Sequence, residues 1–285
     1  MFGILIALAS AAISGWASVA QQRVASTVPV DEGGTIHLLS RLLRHPLWLI
    51  AFAANMVGFA THAWALDLGQ LLTVEPVLST ALLFALAIGT WWSHERLPTA
   101  VWTAAAFLVG GVALFLLAGD PSSTNVDASP LRWFVAGLVV VPLAVGLAWF
   151  AYRRTGPSRA IAFGVTAGVL FGVQSSLTKA VTIDLGAGAI EQLANWKLYA
   201  VLLFGVAGFL MQQTAFQAGS ITLSLPATVV LPPITASVIA LTVLGGSLDI
   251  SGLRGLWIGL AVVGMVGGLV AIARIEATRL AAPGG

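Results

Sequence analysis

Only a few hydrogen-bonding or ionisable side chains interrupt the long apolar stretches of this chain, and they define the chemistry open to it. Glu75 stands beside Pro76, whose ring frees a backbone carbonyl. A carboxylate at such a break is suited to hold a cation, a substrate amine or a coupling proton. Asn55 and His62 are seven residues apart, hence on one helix face, with His62 toward the same end as Glu75. An imidazole and a carboxylate at one level can exchange protons near neutral pH. Gln174 with Thr178, and Ser175 with Lys179, form two i, i+4 pairs. Lys179 is placed either to meet an anionic group or Glu75, or to extend its stem to the interface. Gln212 and Gln213 add two adjacent amides. Pro226, Pro232 and Pro233 each remove a helix hydrogen bond, as Pro76 does, and mark the helix breaks that a gating pair would use.

Enzyme chemistry is not what these residues suggest. His94-Glu95-Arg96-Leu97-Pro98 lacks the second histidine of a zinc-protease helix, and no Gly-Xaa-Gly-Asp signature occurs. With no cysteine, thiol nucleophiles and cysteine-held metals are excluded. The expectation is a protein without catalytic residues, resident metal or cofactor.

The elements that position these groups must be membrane helices. Of 285 residues, 58% are hydrophobic and 8% charged, against roughly 25% charged in an average soluble domain. One chain cannot wrap so much apolar surface in polar groups, so lipid is its solvent and the bilayer its first partner. A net charge of +2 gives no reason to expect nucleic acid. Stretches of about 20 apolar residues, the length a bilayer requires, occur at 2–22, 46–68, 71–91, 97–119, 131–151, 160–181, 197–218, 221–244 and 254–274. Trp48, Trp64, Trp91, Trp92, Trp102, Trp133, Trp149, Trp196 and Trp257 fall near their ends, where indoles prefer the headgroups. The first segment has no basic residue ahead of it and reads as a retained helix. Residues 36–44 read as a short amphipathic helix on the membrane surface, or a leucine-bearing loop.

With nine crossings, Arg23, Arg41, Arg44, Arg96, Arg153, Arg154, Arg159, Arg274 and Arg279 share one side, and Arg132, Lys179, Lys197 and Arg254 the other. The basic side stays cytoplasmic, which puts the N-terminus outside and the C-terminus inside. The halves also repeat. Gly58-Phe59, Ala65, Gly69 and Pro76 recur 150 residues later as Gly208-Phe209, Ala215, Gly219 and Pro226. At a spacing of 157, Gly15 and Ser18 match Gly172 and Ser175, and Gly110-Gly111 matches Gly267-Gly268. Four crossings plus a linking fifth start the second copy on the opposite face. The predicted architecture is therefore all-α, with two inverted four-helix repeats. Residues 1–119 form the first repeat (with the amphipathic loop at 24–45), 120–159 the linker with its helix, 160–274 the second repeat, and 275–285 a cytoplasmic tail. Inverted repeats are how alternating-access carriers are built, with the solute held near the midplane.

Pro46-Leu47-Trp48 through Ala65-Leu66, Val74-Glu75-Pro76, Glu95-Arg96-Leu97 and Gly110-Gly111-Val112 resemble one half of an EamA-type member of the drug/metabolite transporter superfamily. Arg153-Arg154-Thr155-Gly156, Leu177-Thr178-Lys179-Ala180 and Gln213-Thr214-Ala215-Phe216 give the second half a layout similar to the nine-helix NIPA-type magnesium transporters. The resemblance implies a plasma-membrane carrier of a small polar or amphipathic solute, with proton-coupled export as one mode. Magnesium transport, carriage of a lipid-linked substrate, and a non-transporting partner subunit are the alternatives. Mg²⁺ needs oxygen ligands, which only Glu75, Asp67 and Asp249 would offer. A homodimer is compatible with the pattern, and substrate and direction are left open.

Overall fold

The computed structural model describes residues 2–30, 34–68, 77–94, 96–119, 128–183, 193, 195–245 and 251–281. Glu75 and Pro76, and the side chains of His62 and Lys179, lie outside the described residues. The described chain is helical: α1 (Phe2–Ala25), α2 (Gly34–Leu42), α3 (Pro46–Leu68), α4 (Ala81–Ser93), α5 (Thr99–Gly119), α6 (Pro130–Tyr152), α7 (Gly156–Ile183), α8 (Trp196–Ala218), α9 (Ile221–Thr242) and α10 (Arg254–Ala281).

Seven of these, α1 and α5 to α10, are long and apolar enough to cross a membrane, and a multi-pass membrane protein follows from them. The expected second span is α3, which α2 joins at a bend of 92°. The expected third span is helical over Val77–Ser93, shorter than the others, and its first residues lie outside those described. The residues expected at 36–44 as a short surface helix or a loop are helical through Leu42 in α2, which buries Leu38 and Leu42 against the protein and leaves Ile36 and Leu43 exposed. In α9 the three prolines lie within one continuous helix.

The packing partners settle how the helices run. Ser10 Oγ donates to Gly58 O at 2.8 Å and Gln21 Nε2 to Ala51 O at 3.4 Å, so α1 and α3 are antiparallel. Along α7 and α9, Gly164 meets Ser224 and Gly172 meets Pro232 and Thr235, so this pair is parallel. The C-terminal ends of α1, α4, α6, α8 and α10 collect at one end of the bundle. The ties that place them there are Arg23 Nη1 to Trp92 O at 3.4 Å, Gln22 Nε2 to Gly219 O at 3.0 Å, Thr35 Oγ1 with Tyr152 OH at 2.5 Å and Ser220 Oγ to Glu276 Oε1 at 3.1 Å. The nine arginines of the more basic side share this end, called the arginine end below. Phe2 begins α1 at the opposite end, so α1 starts and α10 finishes at opposite ends of the bundle.

Close glycine contacts follow the two sequence offsets. A Cβ on Gly58 would fall 2.7 Å from Ser14 Oγ and 3.6 Å from Ile13 Cγ2; one on Gly208 would fall 2.9 Å from Phe171 Cδ1 and 3.3 Å from Leu170 Cβ. Gly208 is Gly58 plus 150, and Leu170 and Phe171 are Ile13 and Ser14 plus 157. Likewise Gly15 packs on Phe84 and Ala85, and its mate Gly172 on Thr235, which is Ala85 plus 150.

The contact between α5 and α10 is reciprocal. Gly111 abuts Ala261 and Met265, while Gly268, which is Gly111 plus 157, abuts Ala104 and Leu108, which are Ala261 and Met265 minus 157. Moving forward along α5 from 104 to 111 means moving backward along α10 from 268 to 261. Helices that touch in this way run antiparallel, and a twofold axis relating the two contacts would stand perpendicular to both. For helices that cross a bilayer, such an axis lies in the membrane plane.

Candidate functional site

α3 carries Trp48, Phe52, Asn55, Phe59 and His62 at spacings of three and four, one continuous face. The same face of α8, 150 residues on, carries Leu198, Leu202, Gly205, Phe209 and Gln212. At the arginine end the two faces close on each other. Trp48 stacks on Phe52 with centroids 5.4 Å apart, and Phe209 meets both edge-on, at 6.1 and 5.6 Å. Trp48 is 1% exposed. At the other end the equivalent side chains are more exposed: Phe59, 150 residues before Phe209, is 66% exposed, and Leu202, 150 residues after Phe52, is 57% exposed.

A hydrogen-bonded lock lies beside the aromatic plug. The Trp48 indole donates to Gln213 Oε1 at 3.0 Å, Gln213 Nε2 donates to Gln21 Oε1 at 2.8 Å, and Gln21 closes the chain on Ala51 O. All three side chains are about 1% exposed. Around them, Gln217 Nε2 donates to Val28 O at 3.2 Å and Pro29 O at 2.9 Å, and Thr35 Oγ1 lies 3.1 Å from Thr214 Oγ1. Apart from the Gln21–Ala51 bond, each of these ties joins residues before 49 to residues after 212. Together they hold the front and back of the chain together at one end. In a site this dry, removing one partner leaves the others unpaired, at about 1–3 kcal/mol. Trp48→Phe, which keeps the ring and deletes the donor, is expected to lower the thermal midpoint of the purified protein by a few degrees. Differential scanning fluorimetry reads it.

The expected site residues thus divide. Gln213 is spent in the lock. Asn55, Gln174 and Gln212 are half-buried, and among the described residues their side-chain amides make no hydrogen bond. Gln174 faces α8: a Cβ on Gly205 would lie 2.8 Å from its Nε2. Thr178 is exposed and turns its hydroxyl back to Gln174 O at 2.8 Å. His62 continues the Trp48–Phe52–Asn55–Phe59 face of α3 by backbone position. Pro232 lends its carbonyl to the contact with Gly172.

Two features were not foreseen. Gln21 and Gln22 sit near the end of an apolar helix with no motif to mark them, yet both bridge to α8 and its following turn. Glu276 is 6% exposed and binds Ser220 Oγ and Arg279 Nη1, each at 3.1 Å. It therefore ties the start of α9 to α10.

No family model and no solved structure matches the chain. An uncharacterized protein of Corynebacterium glutamicum is 29% identical to it over 275 residues, covering 96% of this chain and 95% of the relative. The similarity spans the whole helical arrangement and names no activity.

Proposed function

We propose that this protein is a membrane carrier of the drug/metabolite type, built from two inverted four-span repeats and moving a small polar or amphipathic solute by alternating access. The observation that carries the reading is the reciprocal packing of Gly111 on α10 and Gly268 on α5. It supports an axis in the membrane plane, the symmetry that lets one sequence repeat close either end of a central cleft. Unequal ends agree with it: the plug of Trp48, Phe52 and Phe209 is shut, while Phe59 and Leu202 are accessible. The linker helix α6, the EamA-like pattern of the first half and the NIPA-like layout of the second fit the same architecture. Nine spans in the plasma membrane, with the arginine end in the cytoplasm, complete it by the positive-inside rule. In this reading the conformation described is closed to the cytoplasm and open outward, and Pro226, Pro232 and Pro233 with Pro76 give the third helix of each half its freedom to bend.

A carrier must present one midplane position to both compartments in turn. The chain has no native cysteine, so Asn55→Cys gives a single label. In sealed vesicles of either orientation, an impermeant maleimide is expected to modify it from both sides, with the arginine side slower. Labelling that stays confined to one side under every condition would end the carrier reading.

A further inference from the structure

We infer that the solute is uncharged where it is gripped, and that the carboxamides of Asn55 and Gln174 grip it at the midplane; this rests on the carrier reading and adds the substrate class. α3 and α8 run antiparallel, because the start of α3 and the end of α8 meet at the arginine end. Trp48 and Phe52 face Phe209 there, and that register brings Asn55 level with Gly205. Gly205 is also the 150-residue mate of Asn55, so this level is where the twofold relation brings the two helices onto themselves.

Gly205 has no side chain, and the space beside it is taken by Gln174 from α7, whose Nε2 would lie 2.8 Å from a Cβ built there. One amide thus comes from α3 in the first half and one from α7 in the second, at a single level of the bundle.

These amides have donors and acceptors to spare. Gln21, Gln22, Gln213 and Gln217 each make hydrogen bonds, whereas Asn55 and Gln174 make none among the described residues. Asn55 stands near the middle of α3 and Gln174 about two-thirds along α7, inside apolar helices where an unpaired polar group is costly and water competes poorly. A group retained there unpaired is suited to a partner that comes and goes. A carboxamide offers donor and acceptor together and no charge. It matches an amide or hydroxyl, and it cannot neutralise an ammonium or carboxylate. Among the described side chains at this level none bears a formal charge, so an ionic solute would be buried without a counter-charge. The neighbouring Phe52 and Phe209 supply an aromatic wall for an apolar portion.

Three probes of one shape test this on the purified full chain in nanodiscs: N-acetylphenylalaninamide (neutral), phenylalaninamide (cationic) and N-acetylphenylalanine (anionic). Calorimetry is expected to show saturable binding of the neutral probe, with each charged probe at least about tenfold weaker. Asn55→Leu and Gln174→Leu should each weaken the neutral probe about tenfold, and Gln22→Leu should not. The unliganded thermal midpoint of both leucine variants should stay level or rise, because the amides hold nothing in the fold. Equal binding of a charged probe, no saturable binding of the neutral one, or native affinity in the leucine variants would overturn the assignment. So would leucine variants that bind poorly and also unfold earlier, which is the mark of a structural amide. Because binding needs no vesicle, this outcome is independent of the two-sided labelling that tests the carrier itself.

Discussion

Gly111→Leu and Gly268→Leu should each remove most of the folded protein, while Gly110→Leu and Gly267→Leu, one residue earlier, should leave it intact. The contrast comes from what a side chain would meet. At Gly111 a Cβ would lie 2.8 Å from Met265 Cγ and 2.9 Å from Ala261 O and Met265 N; at Gly268 it would lie 2.7 Å from Ala104 O and 3.0 Å from Leu108 Cβ. Carbonyls and amides of a neighbouring helix cannot step aside as a side-chain tip can, so the helices must separate. Membrane helices bind each other through such close approach, without the hydrophobic drive available in water. Overpacking of this kind costs about 1–3 kcal/mol where a core can adjust and more where backbone blocks it. For a chain of this size each kcal/mol lowers the thermal midpoint by roughly 2 °C, so a core that adjusts would lose about 2–5 °C and one blocked by backbone more, up to loss of expression. At Gly110 and Gly267 nothing lies within 4 Å of the added Cβ, and a leucine there faces lipid. Fluorescence-detected size exclusion after stepwise heating separates the four variants. Equal loss at 110 and 111 would mean that α5 and α10 do not meet face to face as described, and the in-plane axis would go with them.

What could be read from the sequence was set by spacing. Apolar length and the Trp-marked ends agree with α1, α3 and α5 to α10, seven of which are long and apolar enough to span, and the offsets of 150 and 157 pick out Gly15, Gly58, Gly111, Gly172, Gly208 and Gly268, which the structure uses as contacts. Gly58 with Gly208 and Gly111 with Gly268 are legible because a residue chosen for having no side chain leaves a conspicuous mark in both copies. The lock was harder. Gln21, Gln22 and Gln217 are ordinary interfacial residues by position, and their partners lie almost 200 residues away in chain. No local pattern says that a helix-end glutamine bonds a neighbour rather than water. Gln213 drew notice only as a polar residue in an apolar helix, the same signal as its neighbour Gln212, and burial alone separates the spent amide from the available one. Glu276 was hidden for a related reason: as the acid of an i, i+3 pair with Arg279 in a basic tail, it looks like solvated charge. Its burial depends on the turn between α8 and α9 folding over it.

If the protein is the carrier proposed above, Gln213→Leu should open the arginine end. The native amide accepts from Trp48 and donates to Gln21, joining α3, α8 and α1 at one atom group. Leucine fills similar space but answers neither partner, so the closed state keeps a buried indole N–H and a buried amide unpaired, at about 1–3 kcal/mol each. In an open state water reaches both, and the penalty disappears. The substitution therefore acts on the difference between the two conformations, and about 3 kcal/mol in that difference shifts their ratio by roughly a hundredfold. Spin labels at Ser26→Cys and Ala218→Cys, across the lock, and at Ala60→Cys and Leu203→Cys, beyond the Asn55–Gly205 level toward the opposite end, report both mouths on the cysteine-free chain. In the native background the 26–218 distance should be short and the 60–203 distance long; Gln213→Leu should lengthen the first and shorten the second together. Reciprocity matters more than the size of either change, since two rigid halves rocking about one axis cannot open one mouth without narrowing the other. Loosening at the arginine end alone would assign Trp48, Gln213 and Gln21 to a local plug, and the lock would no longer be the latch of a moving half.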